Sequence, residues 1–238
     1  MAGKKGFLTS LIISAVLAGL FFLLGLEAAP EKFQLQELFG AIDGKDVVVV
    51  FNSGGWGNTP LEKAEDFRSV VEGIQETLAI WGYNSIVVSY ERTEDTFLGK
   101  IAGAKDFLNS FNFSAGIFAK DLELLSEKMP GKKIIIAGLS NGGAFVSKTY
   151  EKISQGARES IYAIAAGIPF WAKSFSSENL LQLDNSGRDS LARGDVGSLL
   201  LSFFKVPNRQ ISQASHWYSW DSLDVGPQIE SFLADRFY

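Results

Sequence analysis

Two residue types in this sequence have the makings of a reaction centre: one serine held between glycines, and the only histidine in the chain. Ser140 lies in Gly138-Leu139-Ser140-Asn141-Gly142, with a glycine two positions away on each side. Ile134, Ile135 and Ile136 precede it as a β-branched run without polar alternation, the pattern of a strand buried on both faces. Gly143 follows, and then Ala144, Val146 and Tyr150 at helical spacing. A strand, a sharp turn and a helix with serine at the apex suit nucleophilic chemistry. A hydroxyl is a weak nucleophile until it is lifted clear of its neighbours and handed to a base. Glycines let the flanking backbone come closer than a Cβ would allow. If an imidazole is that base, it must be His216, since no other histidine is present.

A second glycine-rich turn accompanies the first. Asp46 to Phe51 reads DVVVVF, a fully apolar strand after its first residue, and runs into Asn52-Ser53-Gly54-Gly55-Trp56-Gly57. Such a turn can aim backbone N–H groups at a developing negative charge. Phosphate binding at the serine turn is a poorer reading. The Gly-Lys-Ser/Thr ending of a P-loop and the three-glycine dinucleotide fingerprint are both missing, and no lysine or arginine closely flanks Ser140.

Together these motifs resemble the α/β-hydrolase superfamily, serine esterases and lipases included, whose nucleophile elbow is G-x-S-x-G. The resemblance implies a mostly parallel sheet with helices on both faces. It also implies the chain order Ser, acid, His, with Ser140 as nucleophile and His216 as base. The acid expected beyond the penultimate strand is Asp189, in Gly187-Arg188-Asp189. Asp195, in Gly194-Asp195-Val196, is similar to the Asp-x-Val of some lipases and is the alternative. The oxyanion hole would pair the Asn141 N–H with Gly54 or Gly55. The first glycine turn departs from the family's H-G-G-G-W form, with Asn52 and Ser53 in place of the histidine and first glycine. The implied substrates are carboxylic esters, lipid or acyl esters among them, with no cofactor and no metal. The departures support a second reading, a catalytically inactive scaffold that serves as a binding module. A Ser, Asp and His set in the right order favours the enzyme.

The elements that must position these residues alternate between strand and helix. Pro60 is expected to open a helix with Thr59 as N-cap and Glu62 as its capping-box partner. Ser85–Tyr90 reads as a strand, and residues 103–129 as mostly helix, closed by Pro130-Gly131. Ser160–Gly167 and Leu180–Asp184 read as strands, 196–204 as a helix, 210–213 as a strand, and the chain closes on a helix carrying Ile229, Phe232 and Leu233. Between Ile168 and Glu178 an irregular stretch holds Phe170, Trp171 and Phe175, which suits a substrate-covering wall or a loop stapled to the core. The alternation gives an α/β class with a parallel sheet covered on both sides.

The division expected is an N-terminal span over 1–26, a stalk over 27–45 and one catalytic domain over 46–238. Phe7–Leu26 is twenty residues without a charge, about 30 Å as a helix and so long enough to cross a bilayer. It reads as an uncleaved signal anchor, with a removed signal peptide as the alternative that would leave the domain secreted. Lys4 and Lys5 before it and Glu27, Glu31 and Glu37 after it put the domain on the extracytoplasmic side. The span contains both of those lysines and no acid, so the rest of the chain is more acidic than the whole at −5. No basic stripe is present for nucleic acid. The absence of cysteine excludes a disulfide framework and a thiol nucleophile, and a single histidine excludes an ordinary multi-histidine zinc site.

Overall fold

A computed structural model of the chain describes residues 40–172, 175–187, 189, 192–194 and 216–237, together with Gly19. The span expected over 1–26, the helix over 196–204, the strand over 210–213 and Asp195 lie outside the described residues, as does the stalk as far as residue 39. Among the described residues no helix is long and apolar enough to cross a membrane.

Within them, five strands form one parallel sheet: β1 (Val47–Asn52), β2 (Ser85–Tyr90), β3 (Lys133–Leu139), β4 (Ile161–Ala166) and β5 (Leu180–Leu183), in the order β2-β1-β3-β4-β5. The central strands β1, β3 and β4 read as near-continuous apolar runs because each feeds two cores. Val48, Val50, Ile134, Ile136 and Ala163 point to one side, against helices α3 (Asn112–Lys128) and α4 (Asn141–Lys152). Val47, Val49, Ile135, Ala137 and Ile164 point to the other, against α1 (Arg68–Ile80) and α5 (Gly226–Phe237). Burial on both faces is what parallel strands joined by crossover helices require.

Two helix boundaries differ from the sequence expectation, each because a specific hydrogen bond competes with the helix. The helix expected from Pro60 is only a 3₁₀ turn at Leu61–Lys63, with no side-chain cap, and α1 begins at Arg68. The Thr59 amide, which a capping box would give to Glu62, instead donates to Ser53 Oγ at 3.1 Å, and the Leu61 amide, which a Thr59 cap would accept, donates to Ser89 Oγ at 3.2 Å. Both bonds tie the segment across the ends of β1 and β2 before it can wind. The helix expected over 103–129 is two, α2 (Phe97–Leu108) and α3, broken at Ser110 and Phe111 with φ of 54° and 57°. Asp106 closes that corner: its carbonyl accepts the Phe111 amide and its carboxylate accepts the Ser114 hydroxyl. Thr96 caps α2 by accepting the Gly99 amide at 2.9 Å.

The C-terminal ends of the strands carry Asn52–Gly57 after β1, Arg92 and Thr93 after β2, Ser140 after β3, Gly167 after β4 and Asp189 beyond β5. Ser140, Asp189 and the first glycine turn therefore lie along one rim, the edge at which ligands bind in open parallel sheets.

Candidate active site

Ser140 has φ 58° and ψ −122°, a conformation that a residue with a Cβ rarely adopts and that costs on the order of 1–3 kcal/mol. The surrounding backbone holds it there. Its amide donates to the Ala166 carbonyl at 2.9 Å, and its carbonyl accepts the Ala144 amide at 2.9 Å as α4 begins. The glycines on either side are spatial necessities. A Cβ on Gly142 would stand 2.2 Å from the Asn52 carbonyl oxygen, and one on Gly138 would stand 2.6 Å from the Gly142 backbone. The turn is thus pressed between β1 and its own helix.

That pressure brings the two glycine turns together. A Cβ on Gly54 would lie 3.5 Å from Ser140 Cβ, so the first turn passes directly beside the serine. Asn141 links the two by donating from Nδ2 to the Gly55 carbonyl at 3.2 Å. The Gly57 amide closes a tight turn on the Gly54 carbonyl at 3.0 Å, with Gly55 at φ 55°. Gly54, Gly55 and Asn141 are therefore grouped around Ser140.

At the other end of the sheet, Asp189 and His216 form a pair. Asp189 Oδ2 is 2.7 Å from His216 Nδ1, and the carboxylate is fully buried. It accepts two further bonds, from the Tyr218 hydroxyl at 2.8 Å and the Ala192 amide at 3.1 Å. Burial pushes the Asp189 carboxyl upward, but the His216 hydrogen bond and charge, with the Tyr218 and Ala192 donors, outweigh it and hold the group below its ordinary value. The Tyr218 phenol moves the opposite way, raised first by burial and then by the Asp189 charge, so it stays a donor. His216 Nε2 is buried and has no hydrogen-bond partner among the described residues, so no bond joins it to Ser140 Oγ in this structure. The imidazole edge packs on Gly167, where a Cβ would stand 2.7 Å from His216 Cε1. Gly167 directly follows Ala166, whose carbonyl holds the Ser140 amide.

Sequence reasoning overlooked three groups here. Tyr218 looks like any aromatic beside the histidine, although it lies two positions on from it. Asp66 is a second carboxyl near His216: burial raises it, while its own backbone amide and the imidazole charge lower it. Its carbonyl accepts the Tyr218 amide at 3.3 Å. Arg92 lies under the first glycine turn and is buried. The aromatic stretch after β4 divides between two environments. Phe175 and Ile168 pack on the core, whereas Phe170 and Trp171 remain about half exposed, at 49% and 47%. A cavity of about 340 Å³ opens beside Gly55 and Asn141, walled mainly by Trp56, Ala104, Phe107 and Phe111. Among the described residues, no cluster of three or more His, Cys, Asp or Glu side chains could hold a metal ion.

No family model matches this chain, and no curated protein matches it. Solved structures do. An acetylxylan esterase aligns with a TM-score of 0.51 at 15% identity, over 80% of this chain and 98% of that one. A Trichoderma reesei cutinase bound to a phosphonate inhibitor gives 0.49 at 17% identity, over 66% and 73%. A cutinase-like protein from Cryptococcus gives 0.44 at 15%, over 63% and 80%. With the sheet order described above, the first of these likenesses defines the fold: the chain has an α/β-hydrolase-type fold.

The Asp189 network makes a pH-dependent prediction. A carboxyl held below its ordinary value stabilises the fold above the unfolded-state pKa, and that contribution disappears as pH falls through the folded-state value. Asp189→Asn is expected to cost about 1–3 kcal/mol near pH 7. The gap from wild type should close as pH falls below about 4, as followed by urea unfolding at each pH. A gap that stays constant across this range would contradict the charge assignment.

Proposed function

We propose that this protein is a serine hydrolase that cleaves carboxylic esters through an acyl-enzyme, with Ser140 as nucleophile, His216 as general base and Asp189 as the acid that orients it. The observation that carries this reading is the strained Ser140 backbone, held beside the Gly54–Gly55 turn on the same rim as the buried Asp189–His216 pair. Strain of this kind persists where the surroundings enforce it, and a binding scaffold has no need of it. The esterase names of the structural neighbours agree with the reading.

In this mechanism Ser140 Oγ attacks the ester carbonyl carbon while His216 Nε2 takes its proton. The carbonyl oxygen becomes an oxyanion and accepts hydrogen bonds from the Asn141 amide and from Gly54 or Gly55. The intermediate collapses as His216 returns the proton to the departing alcohol, leaving the acyl group on Ser140. Water then attacks, His216 takes its proton, and the carboxylic acid leaves as Ser140 regains its hydrogen. Asp189 keeps the Nδ1 proton of His216 in place and stabilises the imidazolium throughout.

The two ends of the substrate can be told apart. The alcohol must leave beside His216, because that residue protonates it, so the acyl chain extends the other way, past Gly55 and Asn141. That is where the largely apolar cavity of about 340 Å³ opens, which supports acyl esters as substrates. The uncharged stretch Phe7–Leu26 supports attachment to a membrane, with the domain on the extracytoplasmic side.

Three outcomes are expected. Ser140→Ala and His216→Ala should each lower kcat on a short nitrophenyl ester by about 10⁴-fold or more without unfolding the domain; near-normal turnover in either refutes the mechanism. Ala104→Phe should fill the cavity and shift preference toward shorter acyl chains in an ester panel, whereas an unchanged profile would place the acyl chain elsewhere. The full chain should remain with membranes after alkaline carbonate washing, and release into the supernatant would remove the anchor.

A further inference from the structure

The first glycine turn presents an unusual arrangement of its backbone: five consecutive carbonyls, from Ser53 to Gly57, all accept hydrogen bonds from protein donors. Ser53 accepts from Arg92 Nη2 at 2.7 Å, Gly54 from the Gly57 amide at 3.0 Å and Gly55 from Asn141 Nδ2 at 3.2 Å. Trp56 accepts from Thr93 Oγ1 at 2.7 Å and Gly57 from the Arg92 amide at 2.7 Å. Three of the five donors belong to two adjacent residues just beyond β2. With the carbonyls drawn inward, the amides of Gly54, Gly55 and Trp56 have no protein acceptor among the described residues.

Arg92 is built into this turn from below. It is only 5% exposed, and its guanidinium carbon lies 5.1 Å from the Phe111 ring centre and 5.2 Å from that of Phe145. Gly57, at φ 77°, rests on its other side, where a Cβ would stand 2.4 Å from Nε. Burial lowers the guanidinium to about 10, opposed by the Asp106 and Tyr90 charges, so it remains a cation at neutral pH. A buried cation with no ion-pair partner within hydrogen-bonding distance among the described residues is costly. A placement that costs this much, directly behind a turn that must face an oxyanion, suggests a role beyond packing.

We propose that Arg92 and Thr93 are positioning residues for the oxyanion hole: they pull the Ser53, Trp56 and Gly57 carbonyls inward so that the intervening amides face the reacting carbonyl oxygen, and the Arg92 charge adds a positive field behind them. The inference rests on the serine hydrolase reading above. Its signature follows from where it acts. The oxyanion develops in the transition states and the tetrahedral intermediate between them and is absent from the bound ester, so losing the clamp lowers kcat and leaves KM nearly unchanged.

The test uses the full chain, with active sites counted by the burst of nitrophenol and turnover expressed per active site. Thr93→Val keeps the shape, removes only the Trp56 bond and lies at a partly exposed position that cannot unfold the core; kcat should fall about three- to tenfold. Arg92→Lys keeps the charge but loses the fork that serves Ser53, and kcat should fall about ten- to a hundredfold. KM should stay within about twofold in both. Wild-type kcat in Thr93→Val, or a loss confined to KM or to the number of active sites, overturns the proposal. If Arg92→Lys does not fold, Thr93→Val decides alone. Ser140→Ala, run alongside, separates the two readings: activity that survives it refutes the hydrolase mechanism, whereas its loss with intact clamp variants refutes only the clamp.

Discussion

The contact between Gly142 and the end of β1 constrains everything else at the active rim. With no room for a Cβ against the Asn52 and Ser53 carbonyls, the start of α4 is pressed onto the strand beside it. That closeness forces Ser140 into its left-handed conformation and brings the Gly54 turn alongside it. A serine on a relaxed turn would sit lower and farther from both glycine amides. The order β2-β1-β3 then matters directly, because it puts the turn after β1 next to the elbow after β3 and leaves β2 free to support that turn from outside.

The rim divides its electrostatics between two ends. Toward β5, the buried Asp189 carboxylate with its His216, Tyr218 and Ala192 donors provides negative charge where an imidazolium would form. Toward β2, the buried Arg92 cation and a row of amides provide positive potential where an oxyanion would form. Ser140 lies between them. In the proposed acyl transfer, charge separation would run along the rim in the direction the fixed charges favour, with little reorganisation needed.

Much of this fold was legible in the sequence because its strands are buried on both faces. The runs DVVVVF, SIVVSY and KIIIAGL read as strands from composition alone, and β2 begins and ends where its residues suggest. The turn at Ser140 was legible because its glycines are required by backbone contact, whereas Asp189 stands ahead of Asp195 as the partner of His216 only through its resemblance in placement after a strand, and Asp195 lies outside the described residues. What sequence could not convey depended on particular contacts that compete with helix winding. Thr59 reads as a helix cap until Ser53 claims its amide, and Phe111 reads as helix interior until Asp106 closes the corner. Arg92 follows Glu91 and precedes Thr93-Glu94-Asp95, a polar stretch that looks like surface, since arginine is rarely buried. Only the three-dimensional arrangement reveals that its guanidinium lies between two phenylalanine rings and a glycine turn.

The central claim is that Ser140 is an activated nucleophile facing an oxyanion hole, and a fluorophosphonate probe tests it most directly. The probe forms a stable bond only with a serine deprotonated by a neighbouring base, and its phosphoryl oxygen occupies the oxyanion position. Peptide mass spectrometry of the labelled full chain should find one adduct, on Ser140, and none in His216→Ala. A folded protein that remains unlabelled, or that carries the adduct on another serine, would contradict the account.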